Sequence, residues 1–327
     1  MPENHPTVAN TPDAFEQFIW DWVSLTPIRS LWDLQGIPVR VIAQRTWTAA
    51  WNDDLFGSAA ELSYWFLFAL FPMLVSASSL VGIALHQASN GYDRLLHYLS
   101  PLIPPSAYGF VVQTFNEIVN ASNRQKLTVV LVALWAASAG FSAIQDAMNA
   151  VYKVKETRPY WKVRGAAVLI SPILSLLFTA ILAILLATDL FSHRVHHHIA
   201  HHLIADPLAL VVRIVGWAVA TALLALLFAL IYYWAPDVKH RQWRWFTPGG
   251  AIGILGWMAA SFGLRVYLHF FNGYSATYGS LGAVLILLTW FYLSGFMLLL
   301  GGEVNSEIEA AATEKRLNDP ASLALIP

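Results

Sequence analysis

The chain contains no cysteine, which excludes a disulfide framework, a thiolate metal site and a cysteine nucleophile together. It is poor in charge as well. Asp, Glu, Lys and Arg make up 12% of its 327 residues, where an ordinary soluble domain carries roughly a quarter. The opening stretch MPENHPTVANTPDAFEQFIWDW has neither a basic start nor an apolar core with a small-residue cleavage site. No cleaved signal peptide is therefore expected, and the first spanning helix is expected to target the chain. Alternating segments of about ten residues, the mark of a barrel strand, are missing, and no solenoid-type repeat is found.

What the chain has is apolar surface: 57% of residues are hydrophobic, 14 are tryptophan, and the mean hydropathy is +0.53. Six stretches are long enough to cross a hydrocarbon core, which takes about 20 apolar residues. They run roughly over 62–86, 127–147, 165–190, 208–234, 246–271 and 279–302. The expected fold is an all-α membrane protein of six transmembrane helices. Of the 19 lysines and arginines, 13 fall in the N-terminal segment, the 148–164 and 235–245 loops and the C-terminal tail, and only four in the alternate loops. By the positive-inside rule both termini are expected to be cytoplasmic. The division is a cytoplasmic segment 1–60, a six-span domain 61–303 and a cytoplasmic tail 304–327.

Two segments outside the spans carry helical periodicity. Val39, Ile42, Ala43, Trp47, Ala50, Trp51 and Leu55 recur near helical spacing among Arg40, Gln44, Arg45, Asn52 and Asp53, which predicts an amphipathic helix lying in the interface. The 87–126 loop has apolar patches at Leu95, Leu96 and Leu99 and at Phe110, Val111, Phe115 and Ile118, separated by LSPLIPPS. Prolines forbid one continuous helix there, so an outer helical hairpin is expected.

Polar residues at the span ends are the candidate sites. A charge in a membrane helix is costly unless it faces a partner, water or the interface. Glu61, Asp146 and Glu303 fall toward the cytoplasmic ends and are candidates for a vestibule; interfacial solvation and helix capping are the alternative for Glu61 and Glu303, with the macrodipole favouring only Glu61, near a helix N-terminus. The run SAAELSYWFLFALFP also places Pro72 inside the first span, where it would kink the helix. Arg213 and Arg265, with His269, fall toward the outer ends. A guanidinium fork fits a pair of phosphate oxygens, so these are candidates for lipid-headgroup binding, with snorkelling as the alternative. Tyr274, Tyr278 and Gly279 belong to a short outer turn before the last span. Gly249 and Gly253 form a small-xxx-small pair suited to close helix packing. In HRVHHHIAHH, His193, His197 and His201 stand at i, i+4, i+8 and His198 and His202 at i, i+4. That spacing suits a shared divalent metal or a polar, pH-sensitive loop.

Four segments together resemble the YihY/BrkB family of bacterial inner-membrane proteins: SAAELSYWFLFALFPMLV, FSAIQDAMNAVY, APDVKHRQWRWFTPGGAIGILGW and YSATYGSLGAVLILLTWFYLSGFMLLLGGEVNSEIE. The resemblance covers about residues 40–310. It implies a multi-pass protein of the inner membrane with a role in envelope integrity, linked to phospholipid export with AsmA-like periplasmic bridge partners. The label ribonuclease BN also attaches to the family. A nuclease needs clustered carboxylates or histidines to hold metal ions and activate water, and the pattern His-x-His-x-Asp-His is absent. The basic and aromatic segment KHRQWRW reads as a positive-inside loop in an aromatic belt, not as a nucleic-acid surface. The expectation is a non-enzymatic membrane protein without a cofactor, whose partners are membrane lipids and which transports, or helps to transport, a phospholipid or similar amphiphile. A non-transporting scaffold that docks an envelope partner is the alternative. The oligomeric state stays open.

Overall fold

The computed structural model describes residues 19–20, 22–24, 30–34, 36–68, 123–198, 202–240, 242–270 and 280–317. The described chain is all helical and contains no strand. Its main helices are α1 (Val39–Asn52), α2 (described over 55–68), α3 (Asn123–Val151), α4 (Tyr160–His198), α5 (His202–Trp234), α6 (Pro248–Phe270) and α7 (Ser280–Leu317). Among the described residues, four stretches are long and apolar enough to cross a membrane: Tyr160–Ile181, Pro207–Trp234, Pro248–Leu268 and Val284–Leu317. The expected second span lies within α3. The first is described only as far as residue 68, and Pro72 and the expected outer hairpin fall outside the described residues.

The helices close on themselves. α3 packs on α4, α4 on α5, α5 on α6 and α6 on α7, and α7 returns to α3. Leu62 of α2, Phe141, Ile144, Met148 and Val151 of α3, Phe228 and Ile231 of α5, and Leu298 and Leu299 of α7 form one buried cluster. At 38 residues, α7 is about 57 Å long, well beyond the ~30 Å of a hydrocarbon core. Its C-terminal half must therefore find its cover outside that layer. α1 supplies part of it, packing against α7 through Ile42, which shares a small core with Leu31, Val304, Ile308 and Ala312.

The apolar positions of α1 divide between two faces. Ile42, Thr46, Ala49 and Ala50 are buried against protein, whereas Val39, Trp47 and Trp51 are exposed. The single stripe read from the sequence conflates them, because a helix clamped on one side by α7 and facing the surroundings on the other is apolar on both. From the exposed Trp51 a chain of ring contacts runs inward through Phe56 to Phe296, which packs against the core.

Candidate functional site

Inside the helix ring lies a cavity of about 320 Å³, at the lower end of the roughly 300–1,000 Å³ typical of small-molecule sites. Six helices contribute to its wall: Phe66 from α2, Phe141 and Ile144 from α3, Leu174 and Phe178 from α4, Leu224, Leu227 and Phe228 from α5, Trp257 from α6, and Leu287, Trp290 and Leu298 from α7. The Ser171, Ser294, Trp257 and Trp290 polar groups in this wall are engaged within the protein. Ser171 Oγ donates to Ala167 O at 2.7 Å. Ser294 Oγ donates to Trp290 O at 2.7 Å and accepts from Trp257 Nε1 at 2.9 Å. Trp290 Nε1 donates to Ser261 Oγ at 3.2 Å. The surface offered to an occupant is accordingly hydrocarbon and aromatic, with no charged side chain in the lining.

At one end of the ring the chemistry reverses. Thr247 caps α6, its Oγ1 accepting from Gly250 N at 2.9 Å, and Pro248 occupies the first helical position, where its missing N–H costs nothing. Asn305 of α7 completes the joint: its Oδ1 accepts from Gly249 N at 2.9 Å and its Nδ2 donates to Thr247 Oγ1 at 3.0 Å. The two backbones are so close that a Cβ at Gly249 would overlap the carbonyl oxygen of Gly301. The Thr-Pro-Gly-Gly and Gly-Gly-Glu-x-Asn segments are thus the two halves of one contact.

Acidic residues follow along α7, Glu307 and Glu309 buried and Glu314 half-buried. Arg45 of α1 bonds Glu307 at 2.8 Å and Glu314 at 2.7 Å, and Arg244 pairs with Glu309. Beside them, the α3–α4 connection is tied to the α5–α6 connection. Asp237 N donates to Asn149 Oδ1 at 2.7 Å, Thr157 donates to Asp237 through both N and Oγ1, and Arg158 bridges Glu156 and Asp237 at 2.6 and 3.3 Å. Hydrogen bonding from Arg158, opposed by partial burial and assisted by Asn149, pulls the Glu156 carboxyl down to about 2.

The residues singled out from the sequence are distributed over both regions. Glu61 is exposed on α2 and accepts a hydrogen bond from Trp65 Nε1 at 3.3 Å. Asp146 is exposed on α3, with Glu61, Glu156 and Arg158 as its charged neighbours. Glu303 is completely buried on α7 among Asp53, Glu307 and Lys153. Glu61 and Asp146 therefore share one neighbourhood, Glu303 occupies another, and none of the three lines the cavity. Arg213 on α5 and Arg265 on α6 are exposed and also outside the cavity lining; His269 lies near the end of α6. The α4 backbone runs through His193, His197 and His198, and α5 begins at His202. His201, Tyr274, Tyr278 and Gly279 lie outside the described residues. No metal-binding cluster of His, Asp or Glu occurs among the described residues.

Sequence reasoning missed Arg45, Arg244, Glu309 and the Thr247–Asn305 joint. The Thr-Pro pair at the start of an apolar run was a readable cap signal. The arginine partners were not readable, because they lie 65 to 269 positions from their carboxylates.

Comparison with known proteins agrees with this architecture. The family model described as virulence factor BrkB matches residues 46–324. The putative ribonuclease-like protein YfkH of Bacillus subtilis is 32% identical over 249 residues, covering 76% of this chain and 88% of that protein. A UPF0761 membrane protein of Nitrosospira multiformis is 26% identical over 272 residues, covering 80% of this chain and 59% of that one. A third, from Rhodospirillum centenum, is 27% identical over 265 residues, covering 79% and 55%. The chain thus spans little more than half the length of these two UPF0761 relatives. No solved structure matches. With a family match across most of its length and the apolar helices to go with it, this multi-pass membrane protein belongs to the BrkB family.

Proposed function

We propose that this protein serves envelope integrity in the bacterial inner membrane by moving, or helping to move, a phospholipid or similar amphiphile, with six spans and both termini in the cytoplasm. The observation that carries the reading is the apolar cavity at the centre of the ring, about 320 Å³ with a hydrocarbon wall, where a purely structural bundle would be filled by side chains. In a bilayer an acyl chain moves from lipid neighbours to such a wall with little change in hydrophobic free energy, so only packing differences hold it. Weak retention is what passage requires. The exposed aromatic residues Trp32, Trp47, Trp51, Trp161 and Trp245 suit an interfacial belt, and α1 then lies at the cytoplasmic interface. Headgroup contacts are assigned to Arg213 and Arg265 on the outer side, vestibule contacts to Glu61 and Asp146 on the inner, and no catalytic step is invoked.

The scaffold reading, in which the protein docks an AsmA-like bridge or another envelope partner, draws on one observation: the proposed charged contacts stand outside the cavity lining. Filling the cavity separates the two. Leu227→Trp or Ile144→Trp, reconstituted in native-like lipid, should lower phospholipid co-purified per protein by severalfold and fail to rescue the detergent sensitivity of a deletion strain. Unchanged lipid content with full rescue, at matched membrane levels, would leave the scaffold.

A further inference from the structure

The ion pairs at the buried end of α7 leave one carboxylate over. Glu307 and Glu314 share Arg45, and Glu309 has Arg244. Asp53, in the turn between α1 and α2, is paired with Lys153 of the α3–α4 connection at 3.6 Å. Glu303 is completely buried, and neither of its carboxylate oxygens has a hydrogen-bond partner among the described residues. The charged and titratable groups facing it are Asp53, Glu307 and Lys153, with the buried phenol of Tyr152, neutral at physiological pH, beside them. Two of these are negative, and the one amine is engaged with Asp53.

The backbone at this place is unusual too. Asp54 and Lys153 hold φ of 49° and 50°, in the left-handed region that residues with side chains enter at a cost, and such outliers gather at functional sites. The Asp53–Lys153 pair joins the α1–α2 turn to the α3–α4 connection beside Glu303 of α7. An ionised carboxylate without a donor, buried beside further negative charge, is not sustained by a protein interior. A small cation has to accompany it.

We propose that Glu303 is an exchangeable proton-binding site, with Asp53 and Lys153 setting its affinity. A proton needs only one carboxylate oxygen, whereas a metal ion needs several convergent ligands, and the described residues offer no such cluster. Asp53 and Lys153 keep 14% and 23% of their side chains exposed, so this pair is the site's contact with solvent. Glu303 is also the first residue past the apolar run that ends at 302, which places a loadable proton where the spanning ring meets its polar end. The inference is independent of what occupies the cavity.

The test is infrared difference spectroscopy on the full chain in nanodiscs, following the C=O stretch of a protonated carboxyl group in D₂O. At neutral pH the band is expected in the wild type, absent in Glu303→Gln and retained in Glu61→Gln, whose carboxylate is exposed. Asp53→Asn removes a negative neighbour and releases Lys153, so the band should titrate away with a midpoint lower by about one pH unit or more. Lys153→Met should move the midpoint upward by a similar amount. These two variants keep Glu303 in place and decide the matter even if Glu303→Gln folds poorly. Identical spectra for wild type and Glu303→Gln would overturn the proposal. So would midpoints unmoved by both neighbours, or a band displaced by sodium instead of by alkaline pH.

Discussion

The centre of the helix ring and its polar end are built on opposite principles. Around the cavity, side chains meet through apolar contact, wall serines bond mainly to their own helices, and space is left over. At the polar end a glycine backbone lies against another, a side-chain amide closes the cap of a neighbouring helix, and two arginines each neutralise carboxylates that are otherwise buried. A bilayer gives no hydrophobic reward for squeezing apolar helices together, so a loosely filled centre costs little. Where α7 leaves that layer with buried carboxylates along it, Glu307 and Glu309 are met by arginines, since an unmet buried charge is costly, and Glu303 is left to a proton. Rigidity therefore belongs to the polar end and adaptability to the ring.

This contrast breaks most sharply at the buried ion pair. Arg244→Leu strands Glu309, whose side chain is 5% exposed, and removing one partner of a buried pair costs about 3–5 kcal/mol. Fluorescence-detected size exclusion after a heating series should show a large loss of folded protein. Arg45→Leu should cost less: it strands Glu307, whose side chain is 6% exposed, but Arg45 itself is 35% exposed, twice the 17% of Arg244, so water reaches the site it leaves.

Gly249→Ala tests the backbone contact. Alanine gains about 1 kcal/mol of helix propensity over glycine, but its Cβ overlaps the Gly301 carbonyl, and overpacking against backbone costs roughly 1–3 kcal/mol or more. Net destabilisation in the same assay is expected; a stabilised variant would mean that the two helices part easily.

Asn305→Ala leaves the Gly249 N–H without its acceptor and should cost about 1–3 kcal/mol, with Thr247→Ala at roughly 0.5–2 kcal/mol. The matching change in the ring, Leu224→Phe, should leave thermal stability nearly unaltered, because the cavity has room for it. Equal losses in both regions would erase the distinction drawn here.

Acid acts on the polar end through Glu156. Its folded carboxyl is held at about 2 against an ordinary 4.5. The stabilisation it supplies is present above about 4.5 and disappears as pH falls from there toward 2. Glu156→Gln should flatten that part of a stability–pH profile, and an unchanged profile would show that the link to Arg158 contributes nothing.

The smallest expected effects are at Arg213 and Arg265, both exposed and off the cavity. If a guanidinium fork holds a phosphate, Arg→Lys impairs rescue of a deletion strain and Arg→Gln impairs it further. Full rescue by both lysine variants would reduce them to interfacial anchors.

The place of each functional group in this comparison was unequally legible. Continuous apolar runs announced the helices that became α4 to α7, because a span's requirement is local: enough consecutive residues to cross hydrocarbon. The small-residue spacing at Gly249 and Gly253 pointed correctly to close packing, for Cβ size is also a local property. Grouping Glu61, Asp146 and Glu303 rested on their shared depth, and depth says nothing about which way a helix is turned. Rotation about the helix axis left two of them exposed and buried the third. The cavity had no sequence signal at all. Its wall is assembled from leucines and phenylalanines indistinguishable from those that face lipid, since both are apolar and a bilayer sets no polarity contrast between inside and outside.

By itself, then, the sequence determined the solvent, the secondary structure and the family, each of which depends on composition or on residues close together in the chain. Tertiary structure decided which arginine meets which carboxylate, which glycines touch, where the centre stays open, and that the Glu303 carboxylate is buried with no hydrogen-bond donor among the described residues. Those outcomes depend on how helices distant in sequence are rotated and set side by side, and that is fixed only when the ring closes.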